Sequence, residues 1–285
     1  MIVPGSASQS LSAALAAETG LPLAGTSYER FPDGEGLVAV EGASGLAGER
    51  AVVVAATPTD AAHVELLQLQ DAVAEAGASE VVTVLPYMGY ARQDASFEAG
   101  QPISGRAVAR AISTGTDRVL VVNPHKPWVC DFFDVPAEPV DAASRLAEPL
   151  PAGLDDPLFL APDENALPLA ETVRDAYGDG ETDFFEKHRL SGTEVEIAPS
   201  DADAAGRDVV VVDDIVATGT TMSEAISVLR GREASRVFVA CVHPVLAGSA
   251  RTKLENAGVA GVYGTDTVER VESAVTAAPA IAERL

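Results

Sequence analysis

Val209-Val210-Val211-Val212-Asp213-Asp214-Ile215-Val216-Ala217-Thr218-Gly219-Thr220-Thr221 reads as a strand, an acidic pair, a small loop and the start of a helix. An unbroken run of β-branched residues is the pattern of a strand covered on both faces. From Met222 to Leu229 the apolar residues recur at helical spacing. Ligands of open α/β sheets bind at the carboxyl ends of strands, and the free N–H groups of a helix start receive anions. Thr218, Thr220 and Thr221 add hydroxyl donors there, and Gly219 lets the backbone curl closely around an anion. Asp213 and Asp214 stand one step earlier, where carboxylates accept hydrogen bonds from sugar hydroxyls or help to hold a metal. The loop therefore fits a phosphate and a polyol together. The plainer reading is a strand end followed by a helix cap, and the paired acids after four valines argue against it.

The same alternation of short Val-rich runs and longer helical segments extends in both directions, which predicts βαβ units and a mostly parallel sheet, hence an α/β class. Upstream the strand candidates are Ala51 to Ala56, Val81 to Leu85 and Arg118 to Val122. A helix is predicted from Asp60, taken as its N-cap, to Ala76, stopped at Gly77 and presenting Val64, Leu67 and Val73. In the second half the candidates are Leu158 to Ala161, Val209 to Val212, Val237 to Val242 and Gly261 to Tyr263, with helical segments beginning near Asn165, Thr220 and Ser249. The Pro/Ala-rich stretch Val135 to Pro151 has the composition of a connection. Two similar domains are expected, 1–140 and 141–267, with the C-terminal segment 268–285 a candidate addition to the first. Pro86 to Ser104 and Lys187 to Gly206 read as long loops of functional type.

Composition narrows the function classes. The chain has 285 residues, long enough for two medium cores. Its formal charge of −24 disfavours nucleic acid as a partner, because phosphate backbones are bound by clustered Lys and Arg. Lysine occurs only at Lys126, Lys187 and Lys253 against 43 Asp and Glu, a surface suited to high salt and a halophilic habitat. No stretch approaches the roughly 20 apolar residues of a bilayer span, and the N-terminus carries no signal pattern. A cytoplasmic location and no membrane partner are expected. Cys130 and Cys241 are far apart, which leaves no thiolate zinc pair.

The loop at Asp213 to Thr221 resembles the phosphoribosyl-pyrophosphate loop of type I phosphoribosyltransferases. Further segments narrow the likeness: Arg30-Phe31-Pro32-Asp33-Gly34-Glu35, Pro86-Tyr87-Met88-Gly89-Tyr90-Ala91-Arg92-Gln93-Asp94, Asn123-Pro124-His125, Ala161-Pro162-Asp163, Glu186-Lys187-His188-Arg189-Leu190 and Cys241-Val242-His243-Pro244. Their order is that of the ribose-phosphate pyrophosphokinase family, and the resemblance runs from Met1 to the C-terminal region. It implies two phosphoribosyltransferase-like (type I) domains, and a homo-oligomer whose ATP site is completed by a neighbouring subunit. It also implies transfer of pyrophosphate from ATP to the C1 hydroxyl of ribose 5-phosphate with Mg2+.

By resemblance Phe31, Asp33, Gly34 and Glu35 meet the adenine of ATP, although Pro-Asp-Gly alone reads as a hairpin turn. Arg92 and Gln93 meet the ATP phosphates, and His125 and Asp163 are the magnesium-linked positions. Lys187 and Arg189 are the expected catalytic cations, since pyrophosphoryl transfer gathers negative charge on oxygens in flight. Arg189, Asp213, Asp214, Ala217, Thr218, Gly219, Thr220 and Thr221 are expected to hold ribose 5-phosphate. The sequence departs from the family pattern at Trp128, at Glu164-Asn165 and at Ala217. Two rival functions are a phosphoribosyltransferase that consumes phosphoribosyl pyrophosphate, and a non-catalytic regulatory homologue.

Overall fold

The computed structural model describes residues 1–189, 195–199 and 202–285, with the backbone alone at 187–189 and 195–199. The chain forms two compact units. The first comprises Met1–Ala142, Asp266–Glu269 and Thr276–Leu285, and the second Ala143–Thr265 and Arg270–Val275.

The first unit runs β1 (Ile2–Pro4), α1 (Gln9–Thr19), β2 (Thr26–Arg30), β3 (Gly36–Val40), β4 (Arg50–Val54), α2 (Asp60–Glu75), β5 (Glu80–Leu85), α3 (Ser104–Ser113), β6 (Arg118–Val122) and β7 (Ala137–Val140). Its sheet is wholly parallel in the order β1-β4-β5-β6-β7, while β2 and β3 form a separate antiparallel hairpin. Val53, Leu66, Leu69, Val73, Leu85 and Val121 share one buried cluster, each large side chain contributing about 1.5–3 kcal/mol by leaving water.

Three local expectations change here. Thr59 caps α2, accepting from the Ala62 N–H, and Asp60 is the first helical residue. The buried face is Ala62, Leu66, Leu69, Gln70 and Val73, so Val64 is left on the surface. The stretch read as a connection, Val135 to Pro151, contains β7, an edge strand that tolerates Pro139 because one of its sides needs no ladder donor.

The second unit runs β8 (Leu158–Ala161), α4 (Leu167–Tyr177), β9 (Glu181–Arg189), β10 (Val195–Pro199), β11 (Asp208–Ile215), α5 (Thr220–Gly231), β12 (Arg236–His243), α6 (Ala250–Ala257), β13 (Gly261–Thr265) and β14 (Ser273–Val275). The strand order is β10-β9-β8-β11-β12-β13-β14, parallel throughout except for the β9–β10 pair. The expected loop Lys187 to Gly206 is thus partly an antiparallel hairpin, and its residues 190–194 and 200–201 lie outside the described residues.

From β8 the chain steps through α4 to β9 on one side, whereas from β11 it steps through α5 to β12 on the other. Winding therefore reverses between β8 and β11, and a crevice opens at their carboxyl ends, the place where open α/β sheets bind ligands. The last helix, α7 (Ala278–Ala282), returns to the first unit and packs on α1. Among the described residues no helix is long and apolar enough to cross a membrane.

Candidate functional site

In the second unit the crevice is lined by the turn after β8 and by the end of β11. Asp213 and Asp214 are the last acidic residues on β11 itself, one register position short of the loop. The Asp214 N–H donates to Asp213 Oδ1 at 2.9 Å. Burial pushes the Asp213 carboxyl well above the usual carboxylate range, and repulsion from Asp214 and Asp163 adds to it. A group so placed favours a cation or a hydroxyl donor beside it. Asp163 closes the other side: it caps the turn after β8, accepting from the Asn165 N–H at 2.9 Å. β9 runs parallel to β8 with Phe184 beside Ala161, so the backbone of Lys187 and Arg189 continues past that same edge. Their side chains lie outside the described residues.

The loop after β11 is held from behind. The Val216 N–H donates to the His243 carbonyl, the Leu246 N–H to Val216, and the Ala247 N–H to Ala217, at 2.9–3.1 Å. These bonds spend the loop's inward-facing groups and leave Thr218 and Thr220 exposed. Gly219 caps α5 with φ +72°, and no side chain caps the helix's first turn. A Cβ on Gly219 would lie 3.2 Å from the Cα and the carbonyl oxygen of Ala250, so glycine is required both for its conformation and for close approach of α6. The result is a helix start whose N–H groups and threonine hydroxyls face outward, which is the composition of a phosphate cradle. One residue of the loop's surroundings carries no role in the sequence reading: Lys253, on α6, donates from Nζ to Thr220 Oγ1 at 2.8 Å. Its rarity as one of three lysines is the signal that points to it.

In the first unit Phe31, Asp33, Gly34 and Glu35 form the tip between β2 and β3. The Phe31 N–H donates to the Glu35 carbonyl, the Gly34 N–H to Phe31, and Asp33 Oδ1 accepts from the Glu35 N–H. Gly34 has φ +96°, and the Arg30 guanidinium donates to its carbonyl. The tip is a true hairpin turn that also leaves Phe31 39% exposed. Beside it a groove of about 500 Å³ runs between the hairpin and α2, lined by Tyr28, Arg30, Glu35, Val64, Glu65 and Gln68.

Arg92 is exposed at the start of the segment that follows β5. Gln93 is engaged within the chain: its side-chain amide donates to the Pro102 carbonyl and its oxygen accepts from Ser104 Oγ. Tyr90, with φ +64°, donates to Asp60 Oδ1 at 2.5 Å and so ties the segment to α2. His125 follows β6 and is half-buried, on a turn fixed by Asn123, whose side chain bonds Asp141 Oδ1 and the Ala142 N–H. Trp128 donates from Nε1 to Asp94 Oδ2, and the Lys126 ammonium lies 5.7 Å from its ring centre. Among the described residues no three or more His, Cys, Asp or Glu side chains gather into a metal cage.

The family model for the N-terminal domain of ribose phosphate pyrophosphokinase matches residues 1–115, and that for the phosphoribosyl transferase domain matches residues 141–276. A ribose-phosphate pyrophosphokinase of Halobacterium salinarum is 65% identical over 285 residues, with 100% of both chains covered. One of Methanosarcina mazei is 44% identical, covering 100% of this chain and 94% of its own. The crystal structure of phosphoribosylpyrophosphate synthetase from Mycobacterium smegmatis is similar with a TM-score of 0.82 at 25% identity, over 100% of this chain and 96% of that one.

Proposed function

Because the chain belongs to the ribose-phosphate pyrophosphokinase family, we propose that its crevice at β8 and β11 holds ribose 5-phosphate while the first unit's hairpin and β5 segment bind ATP. The enzyme transfers pyrophosphate from ATP to the C1 hydroxyl of ribose 5-phosphate, giving phosphoribosyl pyrophosphate and AMP. Each of its two domains has the phosphoribosyltransferase-like architecture of a mostly parallel sheet flanked by helices.

The observation that carries the site assignment is the loop: an acidic pair at a strand end, then a glycine-capped helix start with outward threonines. Thr218, Gly219, Thr220 and Thr221, with Ala217, cradle the 5-phosphate through backbone N–H groups and hydroxyls. Asp213 and Asp214 accept from the ribose hydroxyls, fixing the C1 oxygen for attack on the β-phosphorus. The C1 oxygen forms the new bond to the β-phosphorus, the bond from the β-phosphorus to the AMP oxygen breaks, and the hydroxyl proton passes to solvent. Phe31, Asp33, Gly34 and Glu35 hold the base of ATP, Arg92 its phosphates, and Gln93 positions that segment through Pro102 and Ser104. Lys187 and Arg189 stabilise charge on the transferring oxygens.

Magnesium fits the donor set, because Asp163 and Asp213 offer hard carboxylate oxygens in a locale where negative charges repel. Asp163 would hold the ion together with substrate oxygens, and His125 is the first unit's metal-linked position. When bound, Mg2+ neutralises phosphate charge and polarises the β-phosphorus. The exposed Phe31 tip suits a homo-oligomer in which a neighbouring copy completes the ATP site. A cytoplasmic location goes with this reading.

The test is direct. Incubated with Mg2+, ATP and ribose 5-phosphate, the protein should release AMP and phosphoribosyl pyrophosphate in equal amounts. No AMP at any salt concentration would overturn the assignment.

A further inference from the structure

Lys253 reaches the loop from outside it. Its ammonium donates to Thr220 Oγ1 at 2.8 Å, and Thr220 Oγ1 lies 3.4 Å from Thr218 Oγ1. The lysine's position is fixed by its helix, because α6 starts where Ala250 packs against Gly219 and where Ala247 is bonded to Ala217. Lys253 is one turn further along.

Three physical facts give this contact a meaning. An ammonium is a donor without an acceptor, so Thr220 Oγ1 must accept and its own proton points elsewhere, toward Thr218 Oγ1 or an incoming anion. The chain carries 43 acidic residues, yet this ammonium is bonded to a neutral hydroxyl at the phosphate cradle. Finally, an incoming phosphate dianion must enter a crevice lined by three acidic residues, Asp163 after β8 and Asp213 and Asp214 on β11. Without a fixed cation on the loop side, that approach is opposed by like charge.

We propose that Lys253 is a substrate-binding residue of this enzyme, the cation that charges the 5-phosphate cradle by way of Thr220 and gives it preference for a phosphomonoester dianion. This rests on the assignment of Asp213 to Thr221 to ribose 5-phosphate. On binding, the phosphate oxygen takes the Thr220 hydroxyl proton as a hydrogen bond while the ammonium remains within reach as a second, charge-assisted donor.

The experiment compares the full-length wild type with Lys253→Met, which keeps the stem and removes the charge, and with Lys253→Arg. Ribose 5-phosphate is varied at saturating ATP, and the reverse. Lys253→Met should raise KM for ribose 5-phosphate about tenfold, with kcat and the KM for ATP within about twofold. Lys253→Arg should recover most of that loss, and the gap between wild type and Lys253→Met should narrow as salt is raised. Addition of ribose 5-phosphate should raise the Tm of wild type more than that of Lys253→Met.

The proposal is overturned if KM for ribose 5-phosphate in Lys253→Met stays within about twofold of wild type. It is also overturned if both KM values and kcat change together with no recovery by arginine, since that is the pattern of a structural brace. A failure of the site assignment itself looks different: alanine at Thr218 and Thr221 would then leave KM for ribose 5-phosphate unchanged, whatever stands at position 253.

Discussion

In the first unit β4 passes into α2 through Ala55-Ala56-Thr57-Pro58-Thr59; in the second β11 passes into α5 through Val216-Ala217-Thr218-Gly219. Both are strand-to-helix turns at the carboxyl edge of a parallel sheet. The first is closed on itself. Thr59 caps the helix, the Thr57 hydroxyl donates to the Tyr87 carbonyl and accepts from the Gly89 N–H, and Ala55 and Ala56 are buried. The second is open: a glycine replaces the capping side chain, the threonines are exposed, and the valines are followed by two acids, Asp213 and Asp214, where those of the first are followed by two alanines. The same architecture yields a stabilising joint when its polar groups are spent internally, and a binding site when they are left for a ligand.

The largest effect expected from breaking this contrast is at Asp213. Asp213→Asn should lower kcat/KM by about 100-fold or more, since a site built to accept from substrate hydroxyls discriminates strongly. The same change should hold or raise Tm, because it removes a carboxyl whose charge is opposed by burial and by Asp214. Steady-state kinetics and thermal unfolding on one preparation check both halves, and a fall in Tm would break the reading.

The two ends of β11 offer the next test. Asp208, at its start, accepts two bonds from Arg236 and one from the Asp155 N–H, with 1% of its side chain exposed. The Arg236 guanidinium holds its carboxyl below the usual carboxylate range. A lowered native value means that the stabilisation is present above the unfolded value of about 3.9 and is lost as pH falls through the native one. Asp208→Asn should therefore cost about 2 kcal/mol at pH 7 and progressively less as pH is lowered past about 4, read from denaturant melts, with kcat unchanged.

Gly219→Ala should cost about 1–2 kcal/mol for its left-handed conformation. Because Ala250 crowds it at 3.2 Å, this substitution should also raise KM for ribose 5-phosphate. The smallest effect belongs to the closed turn. Thr59→Ala should lose about 1 kcal/mol of stability and leave both KM values untouched. A kinetic phenotype at Thr59 would mean that the first turn is not the closed joint described above.

The central strands are legible in the sequence for a physical reason. Val81–Leu85, Arg118–Val122, Val209–Val212 and Val237–Val242 are buried on both faces, and that environment admits unbroken apolar runs. Strands at or next to sheet edges escape this rule. β7 reads Ala-Glu-Pro-Val and β10 reads Val-Glu-Ile-Ala-Pro at the edges, and β9, beside β10, carries Glu181, Asp183, Glu186, Lys187 and Arg189, so composition alone does not mark them as strands. The Phe31 tip is ambiguous in sequence between turn and ligand contact, and an exposed ring and a hairpin turn coexist there in the structure.

Within the candidate site, Asp213 to Thr221 is contiguous and so can be read from spacing. Lys253 is not, because its bond to Thr220 spans 33 residues and depends on where α6 begins. Gln93, an ATP contact by resemblance, also bonds through its side-chain amide to Pro102 and Ser104, a link that no local pattern encodes.

The return of the chain to its first unit has a consequence for biosynthesis. Residues Thr276–Leu285, including α7 on α1 and the Leu285 carbonyl that accepts from Arg50, emerge from the ribosome after every residue of the second unit. The unit that begins first therefore finishes last, and its nascent form must wait with the α7 face of α1 uncovered. Completion of the first unit before the second is synthesised is closed to this polypeptide; the second unit can be complete while the first is still one helix short.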